Sequence, residues 1–181
     1  MGNLKSKFKR SKGKSKLSAD LPESSSTQKV VDPRLPFSNY RQIFNIRNGW
    51  KPVSRKMADT AKETLIRFLE KYPEYKAKYP MIAGLKTEEE MRESFEFETY
   101  ALQIFGMFDD VIENLENVDA ALDEIERTGK QLTLQLITDL EESFMNSVRL
   151  LLDERFTETL QENYRLLYGF VKSNIPQDGV K

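Results

Sequence analysis

The sequence predicts an all-α architecture of about seven to eight helices behind a disordered basic N-terminal extension, and the helical class follows from three observations. Beyond residue 38, apolar residues recur at intervals of three and four, which is the spacing of one helix face. No segment alternates apolar and polar residues over the length of a convincing strand. Prolines and a capping motif divide this region into pieces of helix length.

The first helix is predicted to begin at Ser38, a plausible N-cap, and to place Ile43, Ile46 and Trp50 on its inner face. Pro52 is expected to end this helix or to begin the next one, because proline lacks the amide hydrogen that a helix interior uses. The second helix has its own apolar stripe and should break near Pro73. The residues of that stripe are Ala61, Leu65, Phe68 and Leu69.

The middle of the chain contains a short corner and then the longest apolar-striped helix. The segment "YPEYKAKYP" places two prolines seven residues apart, which favours a short helical turn. Thr87 and Glu90 form a capping box, which marks a helix start. The stretch "FETYALQIFGMFDDVIENL" (97–115) follows. Its apolar positions on one face are Tyr100, Ile104, Met107 or Phe108, Val111 and Leu115.

Three further segments complete the helical body. Residues 118–130 predict a weaker helix, and two strongly striped helices follow, the last ending near Pro176. Their stripes are Leu136, Leu140, Phe144, Val148 and Leu151, and then Phe156, Leu160, Tyr164, Leu167 and Val171. We therefore divide the chain into a basic arm (1–16), a flexible linker rich in Ser and Pro (17–37), a helical domain (38–175) and a C-terminal tail (176–181).

Composition excludes several kinds of site. The chain has neither cysteine nor histidine, so thiol chemistry, imidazole catalysis and the usual zinc ligands are absent. No apolar run approaches the roughly 20 residues that span a bilayer, and the start lacks the apolar core of a signal peptide. We expect an intracellular, soluble protein that is not an enzyme, because no Glu, Lys or Tyr constellation suits proton transfer.

Charge is distributed unevenly along the chain. Residues 1–16 contain seven basic side chains and no acidic one, whereas the rest carries 21 basic and 29 acidic side chains, a balance of −8. The opening "MGNLKS" fits N-myristoylation of Gly2, with Ser6 at the favoured position. One acyl chain binds membranes only marginally, and a polybasic patch supplies the second signal. The patch consists of Lys5, Lys7, Lys9, Arg10, Lys12, Lys14 and Lys16.

These features predict an arm that partners an anionic membrane surface, at the cytoplasmic face of a membrane and in particular the plasma membrane. Two alternatives stay open at this stage, namely an inert solvated leader and an arm that binds nucleic acid. We expect no nucleic-acid partner and an unidentified protein partner for the helical domain. The linker that joins arm and domain shows no sustained hydrophobic period.

The order and content of the helical segments resemble the globin family across about residues 40–172. The segment "RNGWKPV" looks like the first globin helix with its buried Trp, and "FLEKYPEYKAKYP" like the second helix with its characteristic proline. The 97–115 stretch looks like the long helix on the distal side of haem. The segment "ESFMNSVRLLLDERFTETLQENYRLLYGFV" looks like the last two helices. The lengthened polar N-terminus is similar to that of invertebrate globins, nematode ones in particular.

The resemblance implies a haem pocket for oxygen, electron transfer or redox sensing, yet the haem-ligating histidines are missing. The proximal position falls within residues 127–130, which read Arg, Thr, Gly and Lys. The distal histidine position falls on Tyr100, and the phenylalanine that stacks on haem is Tyr79. Ligand-contacting positions match Leu65 and Ile104.

Three interpretations follow. In the first, the chain is a globin fold that has lost ordinary haem binding, carries no cofactor, and acts as a membrane-attached sensor or adaptor. In the second, haem is retained by a substitute ligand, with Tyr100 as the main candidate and Lys130 and Met107 as weaker ones, since tyrosinate ligates haem in catalase. In the third, the domain is an unrelated helical interaction module behind a lipid anchor.

Overall fold

The computed structural model describes residues 29–177 and builds them from nine α-helices and one short 3₁₀ helix, with no strand in that range. The predictions on the basic arm, Gly2 and most of the linker lie outside the described residues. The helices are α1 (Tyr40–Arg55), α2 (Met57–Lys71), α3 (Glu74–Lys78), α4 (Pro80–Ala83), α5 (Glu88–Glu93), α6 (Phe95–Glu113), α7 (Val118–Gly129), α8 (Leu134–Leu152) and α9 (Glu158–Asn174), with the 3₁₀ helix at Asp153–Arg155.

The all-α class predicted from the sequence is confirmed, and α6 lies at the centre of the packing. Helix α2 packs on α6 and α8, α7 packs on α6, and α1 packs on α9. An aromatic cluster joins these helices. Trp50 of α1 lies with its ring centre 6.1 Å from those of Phe105 and Phe144, and its indole nitrogen donates a hydrogen bond of 2.6 Å to Asp109. Trp50 is buried, as the first-helix stripe predicts.

The ends of α1 differ from the prediction in two details. The N-cap is Asn39 rather than Ser38, because the Asn39 side chain accepts the amide hydrogen of Gln42. The helix also continues past Pro52 to Arg55. Pro52 costs only one backbone bond, and the turn that contains it carries Val53, which is fully buried. Burial of Val53 compensates for the missing bond, so Pro52 neither ends α1 nor begins α2.

Part of the predicted flexible linker is packed against the domain. Leu35 and Phe37 are each 6% exposed and belong to the hydrophobic core. Lys29 pairs with Glu116 after α6, and Arg34 pairs with Asp119 of α7 at 2.6 Å. The globular part therefore begins several residues before Ser38, because two apolar side chains of the segment find places in the core.

The corner between α2 and α6 is formed by three short helices, which is why the helix number exceeds the seven to eight predicted. The predicted capping box is present at the start of α5, where the Glu90 amide donates to the Thr87 hydroxyl oxygen at 3.1 Å and the Glu90 carboxylate accepts from the Thr87 amide. Within residues 29–177, no helix has the length and apolar character needed to cross a bilayer.

Candidate functional site

Helix α6 forms the first wall of the candidate site, where the globin resemblance places the distal side of haem. The helix begins at the N-cap Ser94, whose hydroxyl oxygen accepts the amide hydrogen of Phe97 at 3.2 Å. Ile104 and Met107 are 2% and 1% exposed, and Leu65 of α2 is 2% exposed. These three side chains are buried in the domain, and Met107 also borders the surface groove between α6 and α7.

Tyr100 is the candidate substitute ligand, and its ring packs against Tyr79. The two ring centres are 4.7 Å apart, and Tyr79 is partly buried at the corner before α4. The Tyr100 hydroxyl is buried and has no hydrogen-bond partner among the described residues. Burial in the first place, and then the neighbouring Tyr79, raise the pKa of Tyr100 far above its ordinary value. A haem-ligating tyrosine is a tyrosinate, and burial of the Tyr100 hydroxyl disfavours that charged form in the protein alone.

The end of α7 forms the second wall, where the resemblance places the proximal ligand. Lys130 is exposed, and its ammonium group pairs with Glu126 at 2.9 Å, one turn back on the same helix. Arg127 is exposed as well. Among the four residues of the proximal window, only Thr128 and Gly129 are buried. Lys130 consequently does not join Tyr100, Ile104 and Met107 in the interior.

Gly129 lies against the C-terminal end of the chain. A Cβ atom built on Gly129 would lie 2.8 Å from the Cδ of Pro176 and 3.0 Å from the Cδ1 of Ile175. The separation from Pro176 is shorter than Cβ atoms show, and the one from Ile175 is tight, so a Cβ at this position would require the C-terminal segment to shift. Thr128, its buried neighbour, donates its hydroxyl hydrogen to Glu124 at 2.8 Å.

Polar side chains connect the two walls at the surface. Gln103 of α6 donates to Gln131, directly after α7. Arg127 pairs with Glu124 at 2.6 Å and lies 3.9 Å from Asp110 of α6. These side chains, with Leu102, Gly106, Met107 and Thr128, line a shallow groove of about 270 Å³. The groove is a surface feature and is smaller than the typical small-molecule pocket of about 300–1,000 Å³.

The pKa values of two carboxyl groups in this groove, those of Asp110 and Glu124, are shifted in opposite directions. Burial, and then the negative charges of Glu124 and Asp109, raise the pKa of Asp110. Burial also acts to raise the pKa of Glu124, but hydrogen bonds from Arg127 and Thr128 outweigh it and hold that pKa below its ordinary value. Within residues 29–177, no group of three acidic side chains is arranged to hold a metal ion. The groove is thus a bridge of hydrogen bonds and ion pairs between α6 and α7.

Comparison with known proteins agrees with this arrangement of helices. The family model described as Globin matches residues 62–134, which run from α2 through the two walls of the site. A solved structure also superposes well, namely the crystal structure at pH 4 of a hexacoordinated haem protein from an anhydrobiotic tardigrade. The TM-score is 0.75 at 25% identity, over 82% of this chain and 97% of that one. Both comparisons support the assignment of the chain to the globin family.

No curated protein matches the chain in sequence. Because the tardigrade structure is a haem protein, the globin assignment makes haem a question for the residues of the site. The residues present do not fit a haem group held by an axial imidazole, since the chain has no histidine. The Tyr100 ring packs on that of Tyr79, and Lys130 is exposed and pairs with Glu126. Met107 is enclosed by protein atoms.

Sequence reasoning missed two features of this globin. The first is the contact of Gly129 with Ile175 and Pro176, and its only signal is a glycine at the buried end of a helix, where a better helix former would be expected. The second is the pair of glutamines that joins α6 to the residue after α7. Neither residue type indicates such a contact by itself, because both contacts join segments distant in the chain.

Proposed function

We propose that this globin acts as a membrane-tethered sensor or adaptor that has lost conventional haem binding. The observation that carries the proposal is the closure of the haem region by the chain's own atoms. On the distal side Leu65, Ile104 and Met107 are covered by protein, and on the proximal side Gly129 has no room for even a Cβ atom. A domain of this kind offers its outer surface for protein binding rather than an interior pocket for catalysis.

The unpartnered Tyr100 hydroxyl supports loss of an earlier ligand more than it supports iron ligation. A buried polar group without a hydrogen bond costs on the order of 1–3 kcal/mol, which proteins generally avoid. The ring fills space beside Tyr79, while the hydroxyl gains nothing from its surroundings. Deprotonation to tyrosinate would be opposed by the same burial that raises its pKa.

The membrane tether is proposed from the sequence of the basic arm. Gly2 would carry the acyl chain, and seven basic side chains follow it within 16 residues. Each basic residue near an anionic leaflet adds about 1 kcal/mol, so the patch supplies the second signal that stable anchoring requires. The acidic balance of −8 in the rest of the chain would keep the domain itself off the anionic surface.

Absorption spectroscopy tests the loss of haem binding. The protein is expressed with added haemin and purified, alongside a Tyr100→Phe variant. We expect no stoichiometric Soret band from either protein, because the site has no axial ligand in place. A stoichiometric band in the unaltered chain that Tyr100→Phe abolishes would contradict this proposal. It would establish the second candidate function, a haem-binding globin for oxygen or redox sensing, which the haem-protein relative and the buried phenol favour.

Fractionation tests the tether. Gly2→Ala removes the acyl acceptor and should move the full-length protein from membranes to the soluble fraction. Asn3→Ala is the matched control, since it alters the neighbouring residue and leaves Gly2 in place. Replacing Lys12, Lys14 and Lys16 with Gln should weaken partition in proportion to the anionic lipid content of vesicles. Membrane partition that is unaffected by Gly2→Ala would overturn the lipid anchor.

A further inference from the structure

Glycine occupies the buried end of α7 at Gly129, where a better helix former would be expected. Glycine is needed where the backbone turns with a positive φ or where another group approaches closely. None of the described glycines has a positive φ, so conformation does not require it here. Close approach does, because Pro176 and Ile175 lie where its Cβ would be.

We propose that the C-terminal segment Ile175–Pro176 is a built-in plug, which fills the space that a proximal haem ligand would need and keeps the region closed from within. The proposal deepens the proposed loss of haem binding, on which its haem consequence rests. It assigns a role to residues that the sequence analysis placed at the end of the domain and in the tail.

The plug is held in place by its own contacts. The amide of Ile175 donates to the carbonyl oxygen of Val171 at 3.1 Å, which continues the bonding pattern of α9 by one step. The Ile175 side chain is only 2% exposed and is part of the hydrophobic core. Pro176 follows with a fixed φ, so the rigid ring rather than a flexible side chain makes the closest approach to Gly129.

The inner face of α7 shows what the plug packs against. Ala121 and Ile125 are fully buried on this helix, and Thr128 and Gly129 continue the same inward-facing side by one turn. Helix α7 contacts both α6 and α9, and the plug, which follows α9, contacts the end of α7 at Gly129. Removal of Ile175 and Pro176 would uncover apolar surface at the end of α7. That surface would then accept a planar apolar ligand such as haemin.

A double-mutant cycle in the full chain tests the contact. Gly129→Ala should lower the urea midpoint by roughly 0.5–1 M, as expected when a methyl group is forced into a filled contact. Pro176→Ala removes the ring atom at 2.8 Å, so in that background Gly129→Ala should lower the midpoint by much less or raise it, since alanine is the better helix former. If Gly129→Ala lowers the urea midpoint equally in the unaltered chain and in the Pro176→Ala variant, the proposed plug is wrong.

Haemin binding tests the consequence, with quenching of Trp50, the single tryptophan, as the readout. A chain that ends at Asn174 should bind haemin roughly tenfold or more tightly than a chain that ends at Gln177, which retains the plug. Equal affinities would overturn the inference that Ile175 and Pro176 close the region. Stoichiometric haemin binding by the full chain would instead overturn the proposed function, whatever the result of the cycle. The Pro176→Ala cycle decides the plug even where the shorter chain fails to fold.

Discussion

Helices α6 and α7 form the two walls of the same region, but they differ in length and in the side chains at their buried positions. α6 is a 19-residue helix with nine buried positions, and its inner side chains enter an aromatic cluster shared with α1, α8 and α9. α7 is 12 residues long, and its last buried position is a glycine in contact with the chain terminus. Most buried positions of α6 carry large apolar side chains, whereas the buried end of α7 carries a glycine.

The difference indicates which of the two walls can keep its fold without a cofactor. Large apolar side chains on α6 stabilise the domain by burial, with or without a cofactor, because burial of an aromatic side chain is favourable in itself. A proximal side chain has no such independent role, so another segment of the chain can take its place.

The largest expected effect separates the two walls by their contribution to stability. Phe108→Ala should lower the free energy of unfolding by about 3–5 kcal/mol, because Phe108 is fully buried with its ring centre 4.6 Å from that of Phe144. Leu122→Ala on α7 should cost only about 1 kcal/mol, because Leu122 is only partly buried. Urea unfolding followed by circular dichroism measures both. Equal losses would show that the two walls contribute alike.

Most of the fold could be predicted from periodicity. The predicted stripe contains Tyr100, Ile104 and Val111, and all three are on the buried side of α6. Leu115 is also buried, but it lies after the end of the helix. Local capping also transfers directly from sequence to structure, as at Thr87. These signals are short-range, but they did not place both ends of α1, where Asn39 is the N-cap and the helix continues past Pro52.

The details of the site depend on contacts between distant segments, and single-sequence patterns do not encode those. Lys130 was a candidate ligand from its place in the chain, but the end of α7 turns it outward to Glu126. Pro176 appeared to belong to a tail, but it packs on Gly129, 47 positions earlier in the sequence. Leu35 and Phe37 appeared to belong to a linker of low hydrophobic period, but two isolated side chains are sufficient for anchoring to the core.

A smaller effect distinguishes two buried tyrosines. Tyr100→Phe should leave the free energy of unfolding unchanged or raise it by about 1 kcal/mol, because it removes a buried hydroxyl that has no partner. Tyr168→Phe in α9 should lower it by about 1–2 kcal/mol, because the Tyr168 hydroxyl donates to the Ile137 carbonyl oxygen at 2.7 Å. Matched urea titrations provide the comparison. A larger loss at Tyr100 than at Tyr168 would mean that the Tyr100 hydroxyl has an energetic role in the folded domain.

The smallest effect concerns the groove that joins the walls and depends on pH. The pKa of Asp110 is raised in the folded state, so its ionised form is disfavoured there, and the cost to stability is present above the folded pKa. The cost disappears as pH falls below the unfolded value of about 3.9, where both states are protonated. Asp110→Asn should therefore raise the free energy of unfolding at pH 7 by roughly a few tenths of a kcal/mol, a small gain because the Asp110 side chain is half exposed. This gain should vanish near pH 3. Asp123→Asn, at an exposed position of α7, is the matched control. A gain that persists at pH 3, or one that Asp123→Asn reproduces, would show that charge repulsion between the walls is not its cause.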